Sequence, residues 1–224
     1  MCGTMVKKII FVYLFFAVFL QKTVTQILID PSQTYQTIEG FSASDCWTGN
    51  YVGQYWDDTS KNLIARYLFS QNFATDGSPE GIGLSMWRIN LGAGTAEQGD
   101  ASDISDISRR AECFLDKTGL NYDWSKQAGQ QWFMKKAKEY GCEKFVAFSN
   151  APLVYLSRNG KGYSNGDGHA NLKEDKYDAF AGYMADVADH FKQEGMNIDY
   201  ISPLNEPQYA WNTSGQEGSP WENS

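Results

Sequence analysis

The segment of this chain best suited to chemistry is Ile201-Ser202-Pro203-Leu204-Asn205-Glu206-Pro207, a strand-like run that ends in a carboxylate flanked by an amide and a proline. Cleaving a glycosidic bond requires a carboxylic acid to protonate the leaving oxygen and a second carboxylate on the other side of the anomeric carbon. Glu206 is placed to be the first of these. Asn205 beside it can hydrogen-bond a sugar hydroxyl, an interaction that strengthens as positive charge develops on the ring. Pro207 is expected to keep Glu206 out of the helical region and to hold the strand exit extended. Taken alone, a glutamate in a loop is most often a solvated surface charge.

Polar groups recur wherever the pattern ends a strand. Gly40 to Ser44 reads as a short strand leading to Asp45 and then Trp47, Gly81 to Ile89 as one that carries Arg88 and delivers Asn90, and Lys144 to Ser149 as one followed by Asn150. The last strand is Asp199 to Leu204. Between them lie three helical patterns. The first runs from Asp57, a capping residue, to Leu68. The second is opened by Ser125, has Trp132, Phe133, Ala137 and Tyr140 on one side, and is closed by Gly141. The third repeats Tyr177, Phe180, Met184, Val187 and Phe191 up to Gly195. Asn90 to Asp106 is rich in Gly, Ala, Ser and Asp, and reads as a long loop too polar for the core. Strands alternating with helices at this spacing predict successive βαβ units of an α/β fold with a parallel sheet. In a parallel barrel, catalytic groups collect where strands end.

The composition narrows the function. The 224 residues are 42% hydrophobic and 21% charged, as in a globular domain, and the net charge of −8 supplies no attraction for nucleic acid or an anionic membrane. Lys7 and Lys8 precede the apolar run Ile9 to Leu20, too short to span a bilayer and suited to a signal peptide over residues 1–25, with Thr23 and Thr25 at the cleavage positions. The expectation is export to the periplasm, cell surface or medium without a stable membrane anchor. The three remaining cysteines, Cys46, Cys113 and Cys142, allow at most one internal disulfide. No metal-ligand spacing and no phosphate- or dinucleotide-binding glycine loop follows any strand, so no metal or cofactor is expected.

Asn205-Glu206-Pro207 resembles the acid/base motif of the large clan of retaining glycoside hydrolases built on (β/α)8 barrels. Ile38-Glu39-Gly40-Phe41-Ser42-Ala43-Ser44-Asp45, Met86-Trp87-Arg88-Ile89-Asn90, Pro207-Gln208-Tyr209-Ala210-Trp211 and Gln216-Glu217-Gly218-Ser219-Pro220-Trp221 narrow the resemblance to glycoside hydrolase family 30, in the subgroup similar to endo-β-1,6-galactanases. The resemblance covers about Gln26 to Ser224. It implies a TIM-barrel fold of which residues 40–224 supply about the first four βα units, with residues 26–39 contributing strands to a β side domain. It further implies a retaining hydrolase acting on a β-linked polysaccharide, a β-1,6-galactan above all, with Glu206 as acid/base and Arg88 orienting the nucleophile. Asp45, Trp47, Asn90, Asn150, Tyr209 and Trp211 would then line sugar subsites. For Arg88 a structural ion pair, and for the subsite residues packing between loops, remain as alternatives. Glu217 reads as a first-turn residue of a fourth helix. The family places its nucleophilic glutamate at the end of the seventh strand, beyond this sequence. The chain as written is therefore expected to be catalytically incomplete, a half-barrel with two open edges. A secreted glycan-binding protein without activity is the competing reading.

Overall fold

The computed structural model describes residues 27–221, so the expected signal peptide lies outside the described residues. The chain divides into two compact units between Thr37 and Ile38. In the described part of the first, residues 27–37, the Asp30 carboxylate accepts hydrogen bonds from the Ser32 amide and hydroxyl to form a turn, and no strand is present.

The second unit holds a four-stranded parallel sheet in the order β1-β2-β3-β4: β1 Ser42–Ser44, β2 Met86–Asn90, β3 Lys144–Phe148 and β4 Ile198–Ser202. Sequential order with all strands parallel is the arrangement expected of consecutive βα units of a barrel. Helices α1 (Thr48–Tyr55) and α2 (Asp58–Phe69) follow β1, α3 (Thr95–Gln98) and α4 (Ala128–Glu139) follow β2, and α5 (Tyr177–Gln193) follows β3. Strand alternation sends Trp87, Ile89, Phe145 and Ala147 to one face, where they are buried together with Phe69, Phe133, Met134, Tyr183, Val187 and Phe191. Trp87 pairs in register with Phe145, and Ile89 with Ala147. Each of these large side chains contributes on the order of 1.5–3 kcal/mol by burial. Arg88 and Asn90 fall on the opposite face. Among the described residues β1 and β4 each pair on one side only, and on β4 Tyr200 and Ile201 are 46% and 42% exposed.

The α2 expectation holds to a residue: Asp57 is its N-cap, and its carboxylate accepts from the Ser60 amide. The third predicted helix is α5, with Gly195 just beyond it at φ +77°. Three expectations need correction. The strand predicted from Gly81 begins only at Met86, because residues 81–85 follow an irregular path with Gly83 at φ +64°. The helix predicted from Ser125 begins at Ala128, because the Asp123 carboxylate holds the Ser125 amide and hydroxyl in a turn and Gln127 is left-handed. The stretch after Asn90 is a loop only in part. It contains α3, and Leu91, Ala93, Thr95 and Ile104 are all buried. Helix α1 has no counterpart in the sequence pattern. It crosses α4 where two glycines meet: a Cβ on Gly53 would lie 2.3 Å from the Gly129 carbonyl oxygen, and one on Gly129 would lie 1.9 Å from that of Asn50.

Candidate active site

The carboxyl ends of the four strands bring the polar residues to one edge of the sheet. Arg88 leaves β2 on the face away from the helices. One of its terminal nitrogens donates to Asn205 Oδ1 at 2.7 Å, and its guanidinium lies 3.5 Å from the Phe148 ring centroid. Asn205 is itself fixed, its amide donating to the Ser149 carbonyl. Burial pulls the Arg88 pKa down, and the negative charge of Glu206 partly offsets that.

Glu206 is exposed and left-handed, at φ +47°. The expectation that Pro207 would keep this exit extended is corrected: Glu206 avoids the right-handed helical region, as a residue before proline should, by entering a tight turn instead. The Tyr209 amide and the Trp211 indole N–H both donate to the Glu206 carbonyl, at 3.0 Å each. Trp211 is also left-handed, at φ +48°, and its ring rests on Gly218, where a Cβ would come within 2.2 Å of it. Tyr209 meets Trp211 edge to face at 5.0 Å and is 58% exposed.

The remaining predicted residues are placed differently. Asp45 is 3% exposed, and its carboxylate accepts a long hydrogen bond from the Trp87 indole at 3.4 Å. Burial raises its pKa to about 7, against the lowering effects of Trp87 and the Asn50 amide. Asn90 and Asn150 are also buried, and the Asn150 side-chain amide approaches both Asn90 Oδ1 and Cys46 Sγ at 3.4 Å. Trp47 heads α1 half-buried, and with Asp45, Asn50 and Asn90 lines a void of about 20 Å³. Glu206, Tyr209 and Trp211 therefore form the accessible group, with Arg88 and Asn205 bonded beside them. Cys46, Cys113 and Cys142 carry free thiols. Among the described residues no His, Cys, Asp and Glu cluster could hold a metal.

Two features escaped the sequence. Gln130 of α4 clamps the end of β2, its side chain accepting from the Asn90 amide at 2.8 Å and donating to the Asn90 carbonyl at 2.9 Å. The available signal was its position on the apolar stripe of Phe133, Met134 and Ala137, where a polar side chain needs a buried partner. Glu217 is not in a helix, contrary to expectation. It is fully buried and accepts from the Ala93 amide at 3.1 and 3.2 Å and from the Thr95 hydroxyl at 2.6 Å, and burial lifts its pKa to about 7. The loop after β4 is thereby tied to the loop after β2.

Consecutive parallel βα units with polar groups gathered at their carboxyl ends define the class, part of an α/β barrel. The chain belongs to O-Glycosyl hydrolase family 30, whose sequence profile matches residues 24–224. It is 29% identical over 210 residues to an endo-beta-1,6-galactanase from Hypocrea rufa, covering 87% of this chain and 42% of that protein. It is 25% identical to an exo-beta-1,6-galactobiohydrolase from Bifidobacterium longum subsp. longum, covering 87% of this chain and 16% of that one. Among solved structures, a conserved exported protein from Bacteroides fragilis superposes with a TM-score of 0.82 at 42% identity, over 86% of this chain and 39% of that one. The chain thus spans less than half the length of each of these relatives.

Proposed function

We propose that the protein is an exported, retaining glycoside hydrolase that cleaves a β-linked polysaccharide, a β-1,6-galactan, with Glu206 as the general acid and then the general base. The observation that carries this reading is an exposed Glu206 at the end of β4 beside the Arg88–Asn205 hydrogen bond. In the first step Glu206 protonates the departing glycosidic oxygen while a carboxylate attacks the anomeric carbon. In the second it takes a proton from the water that releases the sugar. Asn205 holds the sugar 2-hydroxyl, Arg88 orients the attacking carboxylate, and Tyr209, Trp211 and Trp47 offer faces to the sugar rings. Asp45, Asn90 and Asn150, being buried, support this surface from within and meet the sugar only at their edges. Both curated relatives are named for action on β-1,6-linked galactose polymers, which supports the linkage. The name of the Bacteroides fragilis neighbour supports export, and no helix among the described residues is long and apolar enough to cross a membrane.

The second reading, a glycan-binding protein without activity, is favoured by one fact. The other carboxylate at a strand end among the described residues, Asp45, is buried against Trp87 and so is a poor nucleophile. Turnover on the first reading requires a carboxylate from outside residues 27–221. Release of reducing ends from β-1,6-galactan separates the two, since both would bind the polymer. On the first reading Glu206→Gln lowers turnover by about 10²-fold or more, and azide partly restores it on substrates with activated leaving groups. Wild-type rates in the Gln variant would refute the assignment.

A further inference from the structure

The turn that carries Glu206 is restrained from the loop between β3 and α5. Within that loop Ser164 is buried and reaches the backbone on both sides of the Trp211 Cα. Its amide donates to the Trp211 carbonyl at 2.8 Å, and its hydroxyl donates to the Ala210 carbonyl at 2.6 Å. The peptide units before and after Trp211 are therefore both held by one residue, which fixes the φ and ψ between them. This accounts for a left-handed tryptophan at φ +48°, because positive φ is uncommon for a bulky residue and persists only where its surroundings over-determine it. With its backbone set and its ring seated on Gly218, Trp211 aims its indole N–H at the Glu206 carbonyl. Ser164 is itself held from behind. Its Oγ accepts from the Gly166 amide at 3.0 Å. The Tyr163 carbonyl, in the same peptide unit as the Ser164 amide, accepts from the side chains of Asn159 at 2.8 Å and of the buried Asn171 at 2.9 Å. Directional hydrogen bonds thus run without a break from Asn171 through Ser164 and Trp211 to the Glu206 turn.

We propose that Ser164 is a positioning residue: by clamping both peptides of Trp211 it aims the indole N–H that fixes the Glu206 turn, and so sets where the acid/base carboxyl group sits. This rests on the reading of Glu206 as the acid/base, a group for which a misplacement of about 1 Å costs up to about 10²-fold in rate. The test compares Ser164→Ala, Trp211→Phe and the double variant of the full-length protein, with Glu206→Gln as the reference. Ser164→Ala removes one oxygen and adds no bulk. Trp211→Phe keeps an aromatic ring but loses the N–H, and it also assigns the Trp211 indole proton among the seven tryptophans. Two quantities are read: solvent exchange of that indole proton by NMR, and kcat and KM on β-1,6-galactan. Ser164→Ala should speed the exchange about 3–10-fold and lower kcat by a similar factor, as loss of one neutral hydrogen bond does. KM should stay unchanged, the pattern of a contact that matters only in the transition state. The double variant should be no slower than Trp211→Phe alone, because both changes break the same path. Unchanged indole exchange in Ser164→Ala would overturn the clamp, and fully additive losses of kcat would leave Ser164 a structural residue only. If the indole proton loosens and kcat holds while Glu206→Gln is inactive, the positioning role falls and the acid/base reading stands. Wild-type turnover in Glu206→Gln would remove the acid/base reading and the positioning role together.

Discussion

Replacing Glu217 with Gln tests whether the tie between the loops after β2 and β4 is a buried, protonatable carboxyl group. The native side chain accepts from two donors, the Ala93 amide and the Thr95 hydroxyl. Thr95 Oγ1 already accepts from the Ala111 amide, so its proton is committed to Glu217. A glutamine has one acceptor oxygen and its NH₂ must face a donor, but a protonated carboxyl carries an O–H under the same constraint, so the two side chains differ little where Glu217 keeps its proton. The difference between them is therefore pH-dependent. The folded state raises the Glu217 pKa from 4.5 to about 7, so it keeps a proton that the unfolded chain has lost, and the stability this supplies is lost as pH rises through that range. Between pH 5 and 6.5 a single group with that shift accounts for a fall of about 1.5–2 kcal/mol. Asp45, raised to about 7, adds to the fall in both proteins and cancels between them. Urea unfolding at pH 5.0, 5.5, 6.0 and 6.5, with constant m, should show the wild type losing about 1.5–2 kcal/mol more stability than Glu217→Gln between pH 5 and pH 6.5. Two parallel lines would mean that Glu217 does not titrate in this range, and the reasoning from burial would be wrong.

Two glycine substitutions should act in opposite directions. Gly129→Ala places a Cβ 1.9 Å from the Asn50 carbonyl oxygen and should cost at least about 1–3 kcal/mol, read as a fall in Tm of several degrees. Gly182→Ala lies inside α5 with nothing within 4 Å of the added carbon, and should gain up to about 1 kcal/mol; a loss there would show that α5 packs more tightly than its geometry implies. Arg88→Lys keeps the charge but gives up the planar group held between Asn205 Oδ1 and the Phe148 ring. On β-1,6-galactan it should lower kcat at least about 10-fold with little change in Tm, and an unchanged kcat would leave Arg88 a structural residue only.

The strand ends were legible in the sequence because a parallel βα pattern forces polar groups to collect there, and the residues so placed (Asp45, Arg88, Asn90, Asn150, Asn205 and Glu206) do share one edge. Helices α2 and α5 were legible from their caps and apolar spacing. Helix α1 was not, because it has no side-chain cap and two glycines within eight residues, and it is held by its contact with α4. Glu217 was misread because its partners, Ala93 and Thr95, lie more than 120 residues away and one of them is a backbone amide that no side-chain pattern records. Which strand-end residues would be accessible was equally hidden: type and position were the same for Asp45 and Glu206, and only packing against Trp87 separates them.

The candidate site is thus held by buried polar contacts more than by apolar ones. Gln130 fixes the last residue of β2, Glu217 fixes the loop that follows it, and Ser219 accepts the Asn171 amide from the loop after β3. Contacts of this kind are costly to break, because each leaves a buried group without a partner, so they pin loop geometry more sharply than interchangeable apolar side chains do. The turn carrying Glu206 follows the same logic at the backbone. Its left-handed conformation costs of order 1 kcal/mol or more and is held by the Tyr209 amide and the Trp211 indole. Both of these bond the Glu206 carbonyl and not its carboxylate. The restraint falls on the peptide, and the group that would handle the proton is left facing solvent, where a substrate can reach it.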